Sequence, residues 1–207
     1  MPRKPKYWIK AKKELCLKDK KLGILINRYP YDFLYSKSDP FKTLVRSIIG
    51  QQISVKAAQS VWNKFEKKCE NVSPEEVLKL HHMTFKSCGL SHQKIDYIKC
   101  LSNAFIDKTL NPNKWVNLED EEIIFQLTKV KGIGRWTAEM YLIFNLCRPD
   151  IFPVKDVGVI KGICKCYNLK YPIDDQHAIN ISKRWKPWRS VATWYLWRSL
   201  DPLPVEY

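Results

Sequence analysis

Along the chain, short apolar runs alternate with polar breaks, and the runs keep a helical period nearly throughout. Phe41, Leu44, Val45, Ile48 and Ile49 follow the i, i+3, i+4, i+7 spacing of a half-buried helix. Gly50-Gln51-Gln52-Ile53 interrupts that stripe, and Ser54 then stands where an N-cap belongs, ahead of Val55, Ala58, Val61, Trp62 and Phe65. Ser73-Pro74-Glu75-Glu76 supplies a cap, a proline at the first helical position and a glutamate at the capping-box position. Gly89-Leu90-Ser91 is another break and restart, leading into Ile95, Ile98 and Leu101. The acidic run Glu119–Glu122 loads the first turn of a helix through Ile123, Ile124 and Leu127, and Asp174-Asp175 does the same before Ile179, each matching the helix macrodipole. Period-2 alternation longer than four residues is hard to find. The pattern predicts an all-α chain without a convincing internal repeat.

Composition narrows the class. A chain of 207 residues can bury a real core, in one domain or two small ones. An apolar fraction of 45% and an aromatic fraction of 13% exclude a disordered chain, and only 7 Gly and 12 Pro exclude a collagen-like one. No uncharged apolar run approaches the roughly 18–20 residues of a membrane span, so no membrane partner is expected. The opening Met-Pro-Arg-Lys-Pro-Lys has no apolar stretch behind it, so no secretory signal is expected. Seven scattered cysteines, an odd number, suit reduced thiols inside a cell. Cytoplasm and nucleoid, or the nucleus of a nucleated cell, are the expected compartments.

Charge points to a partner. Thirty-six Lys+Arg against 21 Asp+Glu leave a formal net charge of +15. Such a surplus favours a polyanion, because each neutralised phosphate releases counterions. Part of it is local: residues 1–21 carry nine Lys/Arg against Glu14 and Asp19, which also suits a solubilising tail or a localisation signal. Ribosomal, membrane-surface and merely well-solvated proteins share this signature.

Leu127-Thr-Lys-Val-Lys-Gly-Ile-Gly-Arg-Trp-Thr-Ala138 carries more information than any other stretch. An apolar helix ends, two glycines flank one apolar residue, and a second helix begins near Arg135. Gly132 and Gly134 permit positive φ and close backbone approach. Ile133 can then turn inward as a plug, leaving backbone N–H groups facing outward at a helix N-terminus, where a DNA phosphate would bind. A tight turn between packed helices is the plainer alternative. Lys131, Arg135 and Lys94 are candidate phosphate contacts, and Ser54 and Thr137 join Gly132, Ile133 and Gly134 in the expected DNA-facing set. His81, His82, His92 and His177 show no metal spacing.

This stretch resembles the helix-hairpin-helix of the base-excision DNA glycosylase superfamily, and Ile151-Phe-Pro-Val-Lys-Asp156-Val-Gly-Val-Ile160 resembles the catalytic loop that follows it. The C-terminal Trp185-Lys-Pro-Trp188-Arg-Ser-Val-Ala-Thr-Trp194-Tyr-Leu-Trp197 is similar to the last helix of the 3-methyladenine DNA glycosylases, within a resemblance that covers about residues 40–200. It implies two helical subdomains with a DNA-binding cleft between them. Residues 41–150 would form one, with the hairpin at about 125–146. A basic segment, 1–40, would pack with 151–207 to form the other. By resemblance, Asp156 is the catalytic carboxylate. Its alternative is a helix N-cap. Trp136, Trp197 and Met140 line the base pocket, where a bacterial relative has an aromatic in place of Met140. Trp185, Trp188 and Trp194 are expected in the core.

The resemblance also assigns wedges and a cation. Gln52 would fill the stack vacated by the everted base, and Leu90 would wedge the opposite strand. Either can equally be an ordinary loop residue. The backbone carbonyls of Thr128, Val130 and Ile133 would hold a structural Na+ or K+. Strand-nicking members form a Schiff base through a lysine where this chain has Trp136, so base removal without lyase activity is expected. Lys155 stands where alkyl-excising relatives carry an acid. Turned into the site it would favour a charged Asp156, and turned outward it would be one more phosphate contact. Beyond the loop only Cys164 and Cys166 remain, too few for an iron–sulfur cluster. The expected function is a monofunctional alkylpurine DNA glycosylase acting as a monomer on double-stranded DNA with damaged bases, needing no cofactor for catalysis. The alternatives are a glycosylase for deaminated or mismatched bases and a non-catalytic helix-hairpin-helix DNA-binding protein.

Overall fold

The computed structural model describes residues 4–36, 39–69 and 71–201. Among these the regular structure is helical and no strand occurs. No described helix is long and apolar enough to cross a membrane. The chain divides into two units, one of Met1–Lys37 with Leu142–Glu206 and one of Ser38–Tyr141. The resemblance implies a boundary at about residue 150. The division instead falls inside a helix, because packing sets it: Phe144, in that helix's last turn, stacks on Trp197.

The unit of residues 38–141 holds α3 (Pro40–Gly50), α4 (Val55–Lys68), α5 (Pro74–Lys79), α6 (His82–Ser87), α7 (His92–Ile106), α8 (Asp120–Thr128) and the start of α9 (Arg135–Phe144). Its caps are local chemistry. Asp39, Ser54, Ser73 and Ser91 each accept the N–H three residues on. Glu119 and Glu122 form a reciprocal capping box on α8. Leu44, Ile48, Ile95, Ile98, Leu101, Ile123 and Leu127 are fully buried, each contributing about 1.5–3 kcal/mol. Phe65 stacks on Phe85 at 5.8 Å, and buried Trp115 donates its indole N–H to Gln126 at 2.7 Å.

The other unit joins the two ends of the chain. The basic N-terminus is folded here, as α1 (Trp8–Lys18) and α2 (Lys20–Arg28), against α10 (Val157–Tyr167) and α12 (Arg189–Arg198), in a unit that also holds α11 (Asp175–Ser182). Trp8 meets Trp194 edge-on at 5.4 Å. Buried Asp19 caps α2 through Leu22 N–H at 3.1 Å, accepts the Trp185 indole N–H at 3.1 Å, and accepts the Tyr167 hydroxyl. Trp188 is half-buried and donates to Glu14 at 2.7 Å. Arg198 pairs with Asp32 at 2.7 Å, and Arg189 pairs with Asp150 at 2.7 Å.

Candidate functional site

The hairpin between α8 and α9 is a tight backbone turn. Val130 N–H donates to Leu127 O at 3.1 Å, Ile133 N–H to Val130 O at 3.0 Å, and Ala138 N–H to Gly134 O at 3.1 Å. Ile133 is turned inward and buried. Gly132 has φ +93°, and a Cβ there would lie 2.0 Å from Tyr97 Cγ, so only glycine fits. Gly134 departs from the expectation. Its φ is not left-handed, and a Cβ there would meet nothing within 4 Å. What Gly134 supplies is open space on an exposed turn.

The side chains expected to contact DNA sort into two groups. Lys131 is exposed, and Gln52 is exposed with φ +58°. Ser54 is exposed but its hydroxyl caps α4 through Ala57 N–H at 3.3 Å. Four others are turned to internal work. Arg135 forks onto Glu121, at 2.9 and 2.5 Å, and reaches Glu139 at 3.1 Å, which clamps α8 to α9. Thr137 is buried and accepts from Gln51 Nε2 at 2.9 Å. Lys94 donates its ammonium to Ile49 O at 2.7 Å and Gln51 O at 2.8 Å, and burial pushes its pKa down.

Leu90 is the fourth, and only 3% of it is exposed. The reason is a helix-ending motif. Gly89, at φ +94°, donates to Lys86 O at 2.9 Å, and Leu90 N–H reaches back to Phe85 O at 3.3 Å. This is a Schellman end to α6, whose residue after the glycine packs inward. Met140 is buried, with 0% of its surface exposed. Trp136, on the first turn of α9, is half-buried.

Asp156 lies in the other unit, as the N-cap of α10. Its Oδ1 accepts Val159 N–H at 2.8 Å and the Trp197 indole N–H at 2.9 Å. The carboxylate is half-exposed at a helix N-terminus, where negative charge is favoured. The N-cap and catalytic readings are therefore compatible, since a capping carboxylate keeps its negative charge. Trp197, 6% exposed, stacks on Phe144 at 5.7 Å. Gly158 makes this possible. A Cβ there would lie 3.0 Å from both Asp156 Oδ1 and Trp197 Cδ1. Lys155 turns outward and pairs with Asp175 at the start of α11.

The sequence reading missed Gln51 and Gly158. Gln51 donates to Gly132 O at 2.9 Å as well as to Thr137. The available signals were the doubled glutamine and the glycine two residues after Asp156, neither of which specifies a partner. Among the described residues no group of three or more His, Cys, Asp or Glu could hold a metal. His81 caps α6, and His82 lies 3.1 Å from His92. Cys164 and Cys166 lie on α10, where burial pushes both thiols up, Cys166 to about 11.

Known proteins resemble this chain in sequence and fold. The family model described as HhH-GPD superfamily base excision DNA repair protein matches residues 45–188. DNA-3-methyladenine glycosylase 1 of Schizosaccharomyces pombe is 33% identical over 184 residues, covering 87% of this chain and 81% of that protein. A DNA-3-methyladenine glycosylase of Saccharomyces cerevisiae is 31% identical, covering 77% and 66%. The solved S. pombe 3-methyladenine DNA glycosylase in complex with abasic DNA superposes with TM-score 0.84 at 32% identity, over 92% of this chain and 96% of that one. A Bacillus halodurans DNA-3-methyladenine glycosidase gives 0.73 at 31%, over 91% and 88%. With more than half its length inside the family match and relatives above 30% identity on both sides, the chain belongs to the HhH-GPD superfamily of base excision DNA repair proteins.

Proposed function

We propose that the protein is a monofunctional DNA glycosylase of base-excision repair that hydrolyses the N-glycosidic bond of alkylated purines in double-stranded DNA. The observation that carries this reading is the Asp156 carboxylate, whose Oδ1 is fixed by two N–H donors at the start of α10. As the bond from C1′ to the base nitrogen breaks, positive charge builds on the sugar, and a preorganised carboxylate stabilises it. The same carboxylate takes a proton from the attacking water, whose oxygen bonds to C1′. A purine alkylated at N3 or N7 is already cationic and leaves as a neutral base, so no general acid is required. Indole faces suit such a cation, at about 1–2 kcal/mol for a desolvated contact, and Trp136 and Trp197 are the indoles assigned to it.

The hairpin supplies the phosphate site. A monovalent cation on the carbonyls of Thr128, Val130 and Ile133 belongs to the proposal. Neutral oxygens suit a singly charged ion, and Val130 O spends one lone pair on Ile133 N–H and keeps a second. Bound there, the ion would screen an approaching phosphate. The protein acts as a monomer inside the cell.

The test is base release from duplexes carrying 3-methyladenine or 7-methylguanine, with hypoxanthine and uracil duplexes in the same panel. Asp156→Asn is expected to lower the single-turnover rate by about a hundredfold or more while leaving duplex binding intact. Undiminished release by the variant would remove Asp156 from the mechanism. Trp136 stands at the position of the Schiff-base lysine, so borohydride should trap no covalent adduct, and a robust adduct would establish lyase activity.

A further inference from the structure

Gln52 adopts a positive φ of +58°, a backbone region strained for a residue other than glycine. Such strain persists only where the surroundings over-determine it. Two side chains do so on the N-terminal side of Gln52. Lys94 reaches across from α7 and donates to Ile49 O and Gln51 O, at 2.7 and 2.8 Å, where the carbonyls of α3 run out of helical partners. Gln51 then donates to Gly132 O and Thr137 Oγ1, both at 2.9 Å, on the hairpin. On the C-terminal side Ser54 starts α4 through its cap. The burial that pushes the Lys94 ammonium down is a cost that a solvated phosphate contact would not carry.

We propose that Lys94 and Gln51 are positioning residues for base eversion, fastening the Gln52 loop to the hairpin so that the wedge and the phosphate-binding backbone advance as one body. The inference rests on the base-everting reading above and adds to it what holds the wedge. A wedge must already be aimed when the base leaves the stack, because a loose loop spends part of the binding energy on its own ordering. Lys94 supplies the aim from below the loop, and Gln51 ties it sideways to Gly132 and Thr137. Neither side chain touches the reacting atoms.

The test separates positioning from phosphate binding and from plain helix capping. Lys94→Met, Lys94→Arg and Gln51→Ala are compared with the wild type on a duplex carrying 7-methylguanine beside 2-aminopurine, whose fluorescence reports eversion without bond cleavage. Lys94→Met and Gln51→Ala are expected to slow eversion about tenfold. Affinity for undamaged duplex and its salt dependence should stay at wild-type values. Lys94→Arg, which can still donate to both carbonyls, should recover most of the rate. A salt slope smaller by about one in Lys94→Met would make Lys94 a phosphate contact and overturn the proposal. Wild-type eversion in a folded Lys94→Met would reduce the lysine to a helix cap and overturn it equally. Should Lys94→Met fail to fold, Gln51→Ala decides alone, because it leaves the grip of Lys94 on α3 intact. Eversion without base release by the wild type would sink the glycosylase reading and leave this one standing.

Discussion

The hydrogen bond from Trp197 to Asp156 depends on a missing methyl group. Gly158 lies between the partners, and a Cβ there would sit 3.0 Å from Asp156 Oδ1 and from Trp197 Cδ1, a spacing that forces one of them to give way. Gly158→Ala should therefore lower kcat on methylated duplex about tenfold, roughly 1.4 kcal/mol of transition-state stabilisation, with KM and thermal stability near wild type. A matching loss of kcat in Trp197→Phe, which keeps the ring and removes the N–H, would assign the effect to the hydrogen bond. An unchanged kcat in both would show that Asp156 is positioned without the Trp197 hydrogen bond. At this scale sequence reasoning had limited reach. Asp156 was legible because the residues around it form a motif. Gly158 was not, because its role is defined by two side chains 41 residues apart in the chain, and the burial of Leu90 was not, because a loop leucine and a Schellman leucine look alike until exposure is known.

Helical elements were legible wherever capping chemistry is local. Ser54, Ser73 and Asp174 cap the helices that the sequence assigns to them. The hairpin shows how two glycines separated by one residue serve different ends. Gly132 is packed against Tyr97 at positive φ, whereas Gly134 faces open space. Gly132→Ala should destabilise the protein by about 2–4 kcal/mol, combining left-handed strain with overpacking, as read by chemical denaturation. Gly134→Ala should leave stability within about 0.5 kcal/mol and weaken duplex binding instead, since its new methyl occupies the space a phosphate backbone needs. Equal stability losses in the two variants would contradict this division of roles. Arg135 illustrates the opposite limit of sequence reading. A basic residue at a DNA-facing turn reads as a phosphate contact, and only tertiary placement reveals the two carboxylates that already hold it.

Over the whole molecule, the chain's two ends meet around Asp19. Its carboxylate is buried and accepts from Leu22 N–H, Trp185 Nε1 and the Tyr167 hydroxyl, so residues about 150 positions apart in sequence share one acceptor. Asp19→Ala removes a helix cap and strips an acceptor from two buried donors, and should cost about 2–4 kcal/mol by chemical denaturation. A loss below about 0.5 kcal/mol would mean that α1 and α2 contribute little to this unit. Sequence alone determined the all-α class, the helix starts, the hairpin and the aspartate that caps α10, because period, caps and glycine spacing are encoded within a few residues of each other. It also determined the basic balance of +15 that favours a polyanion. Tertiary structure alone decided that the basic N-terminus is folded rather than a tail, that Lys94 and Arg135 spend their charge internally, and that Met140 and Leu90 are buried. These are questions of which distant groups come within a few ångströms, and side-chain identity does not carry that information until the chain has closed on itself.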